Sequence, residues 1–280
     1  MKSKLKGIAK LIRFDKPIGT FLLLWPTLSA FFILTNGHPS IILITIFCLG
    51  TFFMRSAGCV INDYFDRDID GKVARTKDRP LITGEIKPKE ALLLFIVLLM
   101  LSASLLIWTN KFTVIVALLG AGLTILYPLT KRFFIGPQLF LGITFNPTII
   151  VYALTEKLSN PTIFYLYFAI AAMTIAYDSF YGLCDEADDR HLGINSTPLW
   201  WGKYTLKIIA LFQIISMCLL GMIGWVDRLD FYWFVGVMCM GGFFLYQHNL
   251  ASHKEYLLAF KNNHWMLLFI LITAVACYSI

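Results

Sequence analysis

Residues 41–70 read IILITIFCLGTFFMRSAGCVINDYFDRDID. The part from 41 to 61 is an apolar run of the ~20 residues that a helix needs to cross the hydrocarbon of a bilayer. The part from 62 to 70 is polar and carries Asp63, Asp66, Asp68 and Asp70. If the helix runs a turn or two past its apolar part, Asn62, Asp66 and Asp70 follow at steps of four, each turning only ~40° about the axis. They then share one face. Asp63 falls about 100° from Asn62 and Asp68 on the far side, so neither is expected with the other three.

The rest of the chain has the same character. Of its 280 residues, 58% are hydrophobic and 15% charged, and the mean hydropathy is +0.71. That is too little polar surface for a water-soluble domain. The net charge of +7 sits in short stretches between apolar runs, which suits lipid headgroups and phosphorylated substrates and gives no reason to invoke nucleic acid. The six cysteines are scattered without a C-x-x-C pair, so no zinc or redox role is expected. An all-α integral membrane protein in one domain, 1–280, follows.

Nine apolar segments are predicted to span: 18–35, 41–61, 90–108, 112–130, 134–154, 162–181, 205–225, 231–249 and 264–280. The first follows basic residues as a signal peptide would, yet it is full length with no small-x-small site after it, and it is read as a membrane helix. Of the 24 Lys and Arg, all but Lys111, Lys157 and Arg228 fall on the side of the N-terminus. The N-terminus is therefore expected in the cytoplasm and the C-terminus outside. On that cytoplasmic face two long charged connections, 62–89 and 182–204, are where function is expected.

The second connection opens with another acidic group. Asp178, Asp185 and Asp189 occupy one helical stripe at i, i+7 and i+11, with Gly182 leaving it open. Four predicted helices separate the two groups, an even number, so both face the same side. Like charges along one stripe repel unless something positive lies among them. A divalent cation answers that need. The available ligands are oxygens, which select a hard ion such as Mg²⁺, and magnesium fills its shell with water and phosphate oxygens. Two such clusters facing each other form a clamp for a diphosphate, and Arg75 and Arg79 follow the first cluster closely enough to bind phosphate. Lys77, Lys87, Lys89 and most of Lys2 to Lys10 are accounted for by topology alone. His191 is read as a loop residue and not a ligand.

These residues resemble the intramembrane aromatic prenyltransferases of the UbiA type, and within them most closely the enzymes acting on 4-hydroxybenzoate. The resemblance rests on Asp15-Lys16-Pro17-Ile18-Gly19, Leu24-Trp25-Pro26-Thr27, Arg55-Ser56-Ala57-Gly58-Cys59 leading into the N-D-x-x-D-x-x-x-D run, and Arg79-Pro80-Leu81 with Gly84. Tyr127-x-x-x-Lys131, Asp185-x-x-x-Asp189 and Gly193-Ile194-Asn195-Ser196-Thr197 complete it. It implies a bundle of nine transmembrane helices around a central cavity open sideways to lipid. It further implies that Asn62, Asp66, Asp70, Asp185 and Asp189 hold Mg²⁺ and the diphosphate, while Arg75, Arg79 and Lys131 bind phosphate. Arg55, seven residues before Asn62, would meet the carboxylate of the aromatic acid, with Arg13 as a second candidate, and Tyr127 would offer an aromatic face to an allylic cation. Asp66, Asp185, Arg75 and Tyr127 are the expected catalytic set. The implied substrates are a polyprenyl diphosphate and 4-hydroxybenzoate, at the inner membrane of a bacterium, with no obligate protein partner. Relatives using naphthoate, homogentisate or haem are alternatives.

Two rival readings share features. Asp70, Gly71, Arg75 and Gly84 match the opening of the CDP-alcohol phosphotransferase signature, which then requires Asp where this chain has Pro88 and Leu92. A cation-coupled transporter would also carry carboxylates among broken helices, but near mid-membrane and not at helix ends beside arginines.

Overall fold

The computed structural model describes residues 2–73, 75–155 and 161–279, and among them only helices and turns occur. In chain order the helices are α1 (Lys2–Leu11), α2 (Ile18–Leu34), α3 (Ile41–Asp70), α4 (Pro88–Leu105), α5 (Lys111–Thr130), α6 (Pro137–Thr144), α7 (Thr148–Thr155), α8 (Thr162–Leu192), α9 (Thr197–Trp201), α10 (Thr205–Val226), α11 (Phe231–Ser252) and α12 (Tyr256–Tyr278). Seven helical stretches among the described residues are long and apolar enough to cross a membrane: Ile41–Asp70, Pro88–Trp108, Lys111–Thr130, Pro137–Thr155, Thr162–Leu192, Thr197–Val226 and Tyr256–Tyr278. The expected segments 18–35 and 231–249 also fold as helices, but α2 has only 17 residues and α11 carries the polar run Gln247, His248 and Asn249.

Several expected boundaries are corrected. The last helix begins at Tyr256 and not at 264, because the polar residues Lys261 to His264 sit within the turns of α12; residue 280 and Lys157 lie outside the described residues. The two charged connections are loops only in part. α3 continues to Asp70 and α8 to Leu192, so each acidic cluster ends a helix of about 45 Å, longer than the ~30 Å hydrocarbon core. Gly193 stops α8 with a left-handed φ of 65°, and its amide caps the carbonyl of Asp189.

The predicted helix 134–154 is broken in two. Pro147 has no amide hydrogen to continue a helix, and the side chain of Asn146 bridges the break. Its Nδ2 donates to the Tyr167 carbonyl at 2.7 Å, while its Oδ1 accepts from the Thr148 hydroxyl at 2.6 Å. Irregular backbone at membrane depth is stable where protein covers it or where it lines a cavity.

α8 is the central helix, packed against α10, α6 and α12. Phe31, Leu166, Phe180, Ile209, Ile223, Trp233 and Met266 form the main core around it. A second core joins Leu11, Val60, Ile61, Ile86, Phe95 and Leu98 from α1, α3 and α4. α4 and α5 turn Leu93, Met100, Leu118 and Leu119 outward, an apolar surface suited to lipid.

Candidate active site

α3 and α8 bring their acidic ends to a single cavity of about 260 Å³. All the residues singled out from the sequence line it: Asn62, Asp66, Asp70, Asp185 and Asp189; Arg75, Arg79 and Lys131; Arg13, Arg55 and Tyr127. Residues 119 positions apart, Asp66 and Asp185, thus share one chamber. Asp68 points outward, with its side chain 84% exposed, and His191 is exposed.

Asp66, Asp70 and Asp185 are each paired with a cation. Lys131 Nζ lies 2.5 Å from Asp66 Oδ2, and Arg79 Nη1 lies 2.5 Å from Asp70 Oδ2. Arg75 grips Asp185 with two bonds, Nε to Oδ1 at 2.9 Å and Nη2 to Oδ2 at 2.5 Å, the fork geometry that suits an arginine. Its Nη1 donates to the Tyr181 hydroxyl, and the guanidinium lies 4.5 Å from the centre of that ring. Burial works against the charge of Arg75, but the hydrogen bonds to Asp185, reinforced by the negative charge of that carboxylate, outweigh it and raise its pKa. Arg75 therefore stays cationic. Repulsion among the acids, which the sequence reading left to a divalent ion, is relieved here by Lys131, Arg79 and Arg75. Among the described residues no three His, Cys, Asp or Glu side chains are gathered closely enough to hold an ion as they lie.

Asp63 corrects the expectation that only Asn62, Asp66 and Asp70 face the site. It is buried, lines the cavity, accepts from Arg13 Nη2 at 2.7 Å and forms an ion pair with Arg79 Nη1 at 2.9 Å. Arg13 reaches it from a left-handed backbone turn with φ of 59°, and also donates to the Lys10 carbonyl at 3.0 Å. Burial opposes the charge of Arg13, yet Asp63 more than offsets this, and its pKa is raised. Arg13 is thus engaged within the protein, whereas Arg55 forms no ion pair within 4.0 Å among the described residues. Tyr181 was also missed, although Tyr181, Asp185 and Asp189 follow at steps of four. Gln138 lines the cavity from α6 and accepts from the Thr197 amide at 2.8 Å; no spacing in the sequence points to it.

A second cavity of about 320 Å³ adjoins the first, and Leu23, Arg55, Thr124 and Phe145 line both. Its walls are apolar and come from α3, α4, α5 and the break between α6 and α7, including Ile46, Met54, Leu99, Leu105, Ala121 and Ile150. Arg55 stands at the junction. Its guanidinium lies close over Gly19, where an added Cβ would come within 2.5 Å of Nη2, and 5.9 Å from the centre of the Phe145 ring.

The chain is thus a bundle of apolar, membrane-length helices that holds a chamber of acids and bases beside an apolar one. The UbiA prenyltransferase family model matches residues 23–271, and the chain belongs to that family. It is similar to proteins named 4-hydroxybenzoate octaprenyltransferase: 42% identical to that of Pasteurella multocida over 94% of this chain and 92% of that protein, and 43% identical to that of Marinomonas sp. over 93% and 92%. Two solved structures share its fold. One is a UbiA homolog from Aeropyrum pernix K1 in its apo form, with a TM-score of 0.78 at 19% identity over 90% of this chain and 96% of that one. The other is a UbiA homolog from Archaeoglobus fulgidus bound to GPP and Mg²⁺, with a TM-score of 0.74 at 18% identity over 96% and 99%.

Proposed function

We propose that the protein transfers a polyprenyl group from a polyprenyl diphosphate to the ring carbon beside the hydroxyl of 4-hydroxybenzoate, releasing diphosphate, as a step of ubiquinone biosynthesis. The observation that carries this reading is the junction of the two cavities. A chamber of carboxylates and cations suits a diphosphate, the apolar chamber suits its hydrocarbon tail, and Arg55 between them suits the carboxylate of an aromatic acid. The names of the relatives supply the acceptor.

The donor set fits a magnesium ion. Among the described residues, Asp66 Oδ1 and Asp63 Oδ2 are buried without a hydrogen-bond partner, and the neighbouring acceptors are all oxygens. Asn62, Asp66, Asp70, Asp185 and Asp189 would hold the ion, which when bound supplies positive charge that stabilises the departing diphosphate. Arg75, Arg79 and Lys131 exchange their carboxylate partners for phosphate oxygens and add to that stabilisation. The apolar walls keep water from the allylic cation, and Tyr127 presents a ring face to it, worth ~2 kcal/mol or more when desolvated. The ring of the acceptor, held by Arg55, attacks and then loses a proton.

The Lys and Arg distribution supports nine membrane-spanning segments with the N-terminus and this site on the cytoplasmic side of a bacterial inner membrane and the C-terminus outside. The deciding experiment is purified protein in detergent with a labelled polyprenyl diphosphate and a panel of aromatic acceptors. Prenylated 4-hydroxybenzoate is expected with Mg²⁺ and none with EDTA. Transfer to naphthoate or homogentisate instead, or CMP release from a CDP-alcohol, overturns the reading.

A further inference from the structure

The carboxylates of α8 stand in two tiers. Asp185 and Asp189 face the phosphate-binding cations. Asp178 lies seven residues deeper, about 10 Å along the axis, and α3 repeats the step, with Arg55 seven residues deeper than Asn62. The deeper tier of the cavity therefore holds one carboxylate and one guanidinium, both lining it. Neither forms an ion pair within 4.0 Å among the described residues, whereas Asp66, Asp70 and Asp185 each have a cation in contact. Arg55 and Asp178 nevertheless line the same chamber, together with Tyr127, Tyr177 and Tyr181.

Asp178 is also placed to be reached. Residues 171–177 and 179–180 of α8 are buried, and Asp178 alone in that run is partly open, toward the cavity. Its one hydrogen bond given by the structure is long, from the Tyr127 hydroxyl to Oδ2 at 3.5 Å. A carboxylate at this depth without a close partner is unfavourable unless a ligand supplies one. A ligand that answers both members of the tier carries an anion at one end and a hydrogen-bond donor at the other, which describes a ring with a carboxylate opposite a hydroxyl.

We propose that Asp178 is the base that takes the phenolic proton of the acceptor, and that with Arg55 it selects para-hydroxy acids. This rests on the reading that the acceptor is a hydroxybenzoate. The phenolic proton passes to the Asp178 carboxylate, and the ring carbon beside the oxygen gives its electron pair to the first carbon of the prenyl chain. The carbon–oxygen bond of the donor has by then broken, its electron pair staying on the diphosphate. Asp178 returns its proton to the oxygen as the hydrogen on the attacked ring carbon leaves to the released diphosphate. One ring hydrogen is thereby exchanged for the prenyl chain, and the carboxylate is restored.

The test compares wild type and Asp178→Asn with two acceptors, 4-hydroxybenzoate and 3-fluoro-4-hydroxybenzoate, whose phenol is more acidic. General-base assistance contributes on the order of 10²–10⁴-fold. Asp178→Asn is expected to lower turnover of 4-hydroxybenzoate by about 100-fold or more, and the deficit relative to wild type is expected to shrink by about tenfold with the fluorinated acceptor. Polyprenyl diphosphate binding, measured directly, reports whether the variant is folded. Undiminished turnover, or an equal deficit with both acceptors, overturns the proposal. If Asp178→Asn does not fold, wild type settles it with 4-methoxybenzoate, which has no proton to give: no product is expected, and prenylation at a rate near that of 4-hydroxybenzoate overturns it. Wild type that prenylates neither hydroxybenzoate overturns the underlying reading of the reaction instead.

Discussion

At Asp185 a bidentate arginine occupies both carboxylate oxygens, and the same side chain is read as a ligand of the ion that holds the diphosphate. Asp185→Ala removes one ligand and frees Arg75 from its position. The expected result is a fall in turnover of at least about 10²–10³-fold, the scale of losing one group that stabilises developing charge, with folding intact because Asp185 is partly exposed to the cavity. A rate assay beside a thermal melt in detergent checks both halves. Arg55→Ala has a different signature. A lost charge-assisted hydrogen bond is worth about 1.5–3 kcal/mol, so KM for 4-hydroxybenzoate should rise about 10- to 100-fold while KM for the prenyl donor changes little. An unchanged acceptor KM removes Arg55 from that role. Most of these residues were legible because steps of four and seven along a helix fix which side chains share a face. Asp63 was not. Its partners, Arg13 and Arg79, come from a left-handed turn and a loop, and helical spacing carries no information about where either one points.

At the scale of elements, the reading of α3 and α8 and that of the 134–154 segment differ in an instructive way. Apolar runs ending in regularly spaced acids describe long continuous helices, and α3 and α8 are that. The segment 134–154 is just as apolar, yet a helix there meets Pro147, and only the fold shows how the break is repaired. Asn146 joins the two halves to Tyr167 on α8, which sets Phe145 at the meeting of the two cavities. Asn146→Ala removes the link to the Tyr167 carbonyl and leaves the buried Thr148 hydroxyl without its partner, at about 1–3 kcal/mol. A lowered melting temperature in detergent is expected, with activity falling beyond what the loss of folded protein explains, because Phe145 and Arg55 share this corner. Unchanged melting and activity would show that the break is held by other contacts.

Across the whole molecule, polar and apolar chambers are stacked along the bundle and join where Arg55, Phe145, Leu23 and Thr124 meet. Sequence patterning gave the helices and the acidic ends. It did not reveal the second chamber, whose wall is assembled from small residues on several helices: Gly50, Ala103, Ala117, Gly120 and Ala121. A hydrophobic count does not register how small a side chain is, but together these residues leave open apolar space, which the proposed function assigns to the prenyl tail. Gly120 is the place to test this. It lines the apolar chamber, and an added Cβ meets nothing within 4 Å, so a larger side chain enters open space with no backbone conflict. Gly120→Phe should leave the diphosphate site untouched and fill part of the chamber. Each buried methylene is worth about 0.8 kcal/mol, so excluding two or three from a long donor lowers its kcat/KM about tenfold or more. A ten-carbon donor, whose tail ends nearer the junction, should lose much less. The ratio of kcat/KM for long and short prenyl diphosphates is the measurement, and equal losses for both would place the hydrocarbon tail elsewhere.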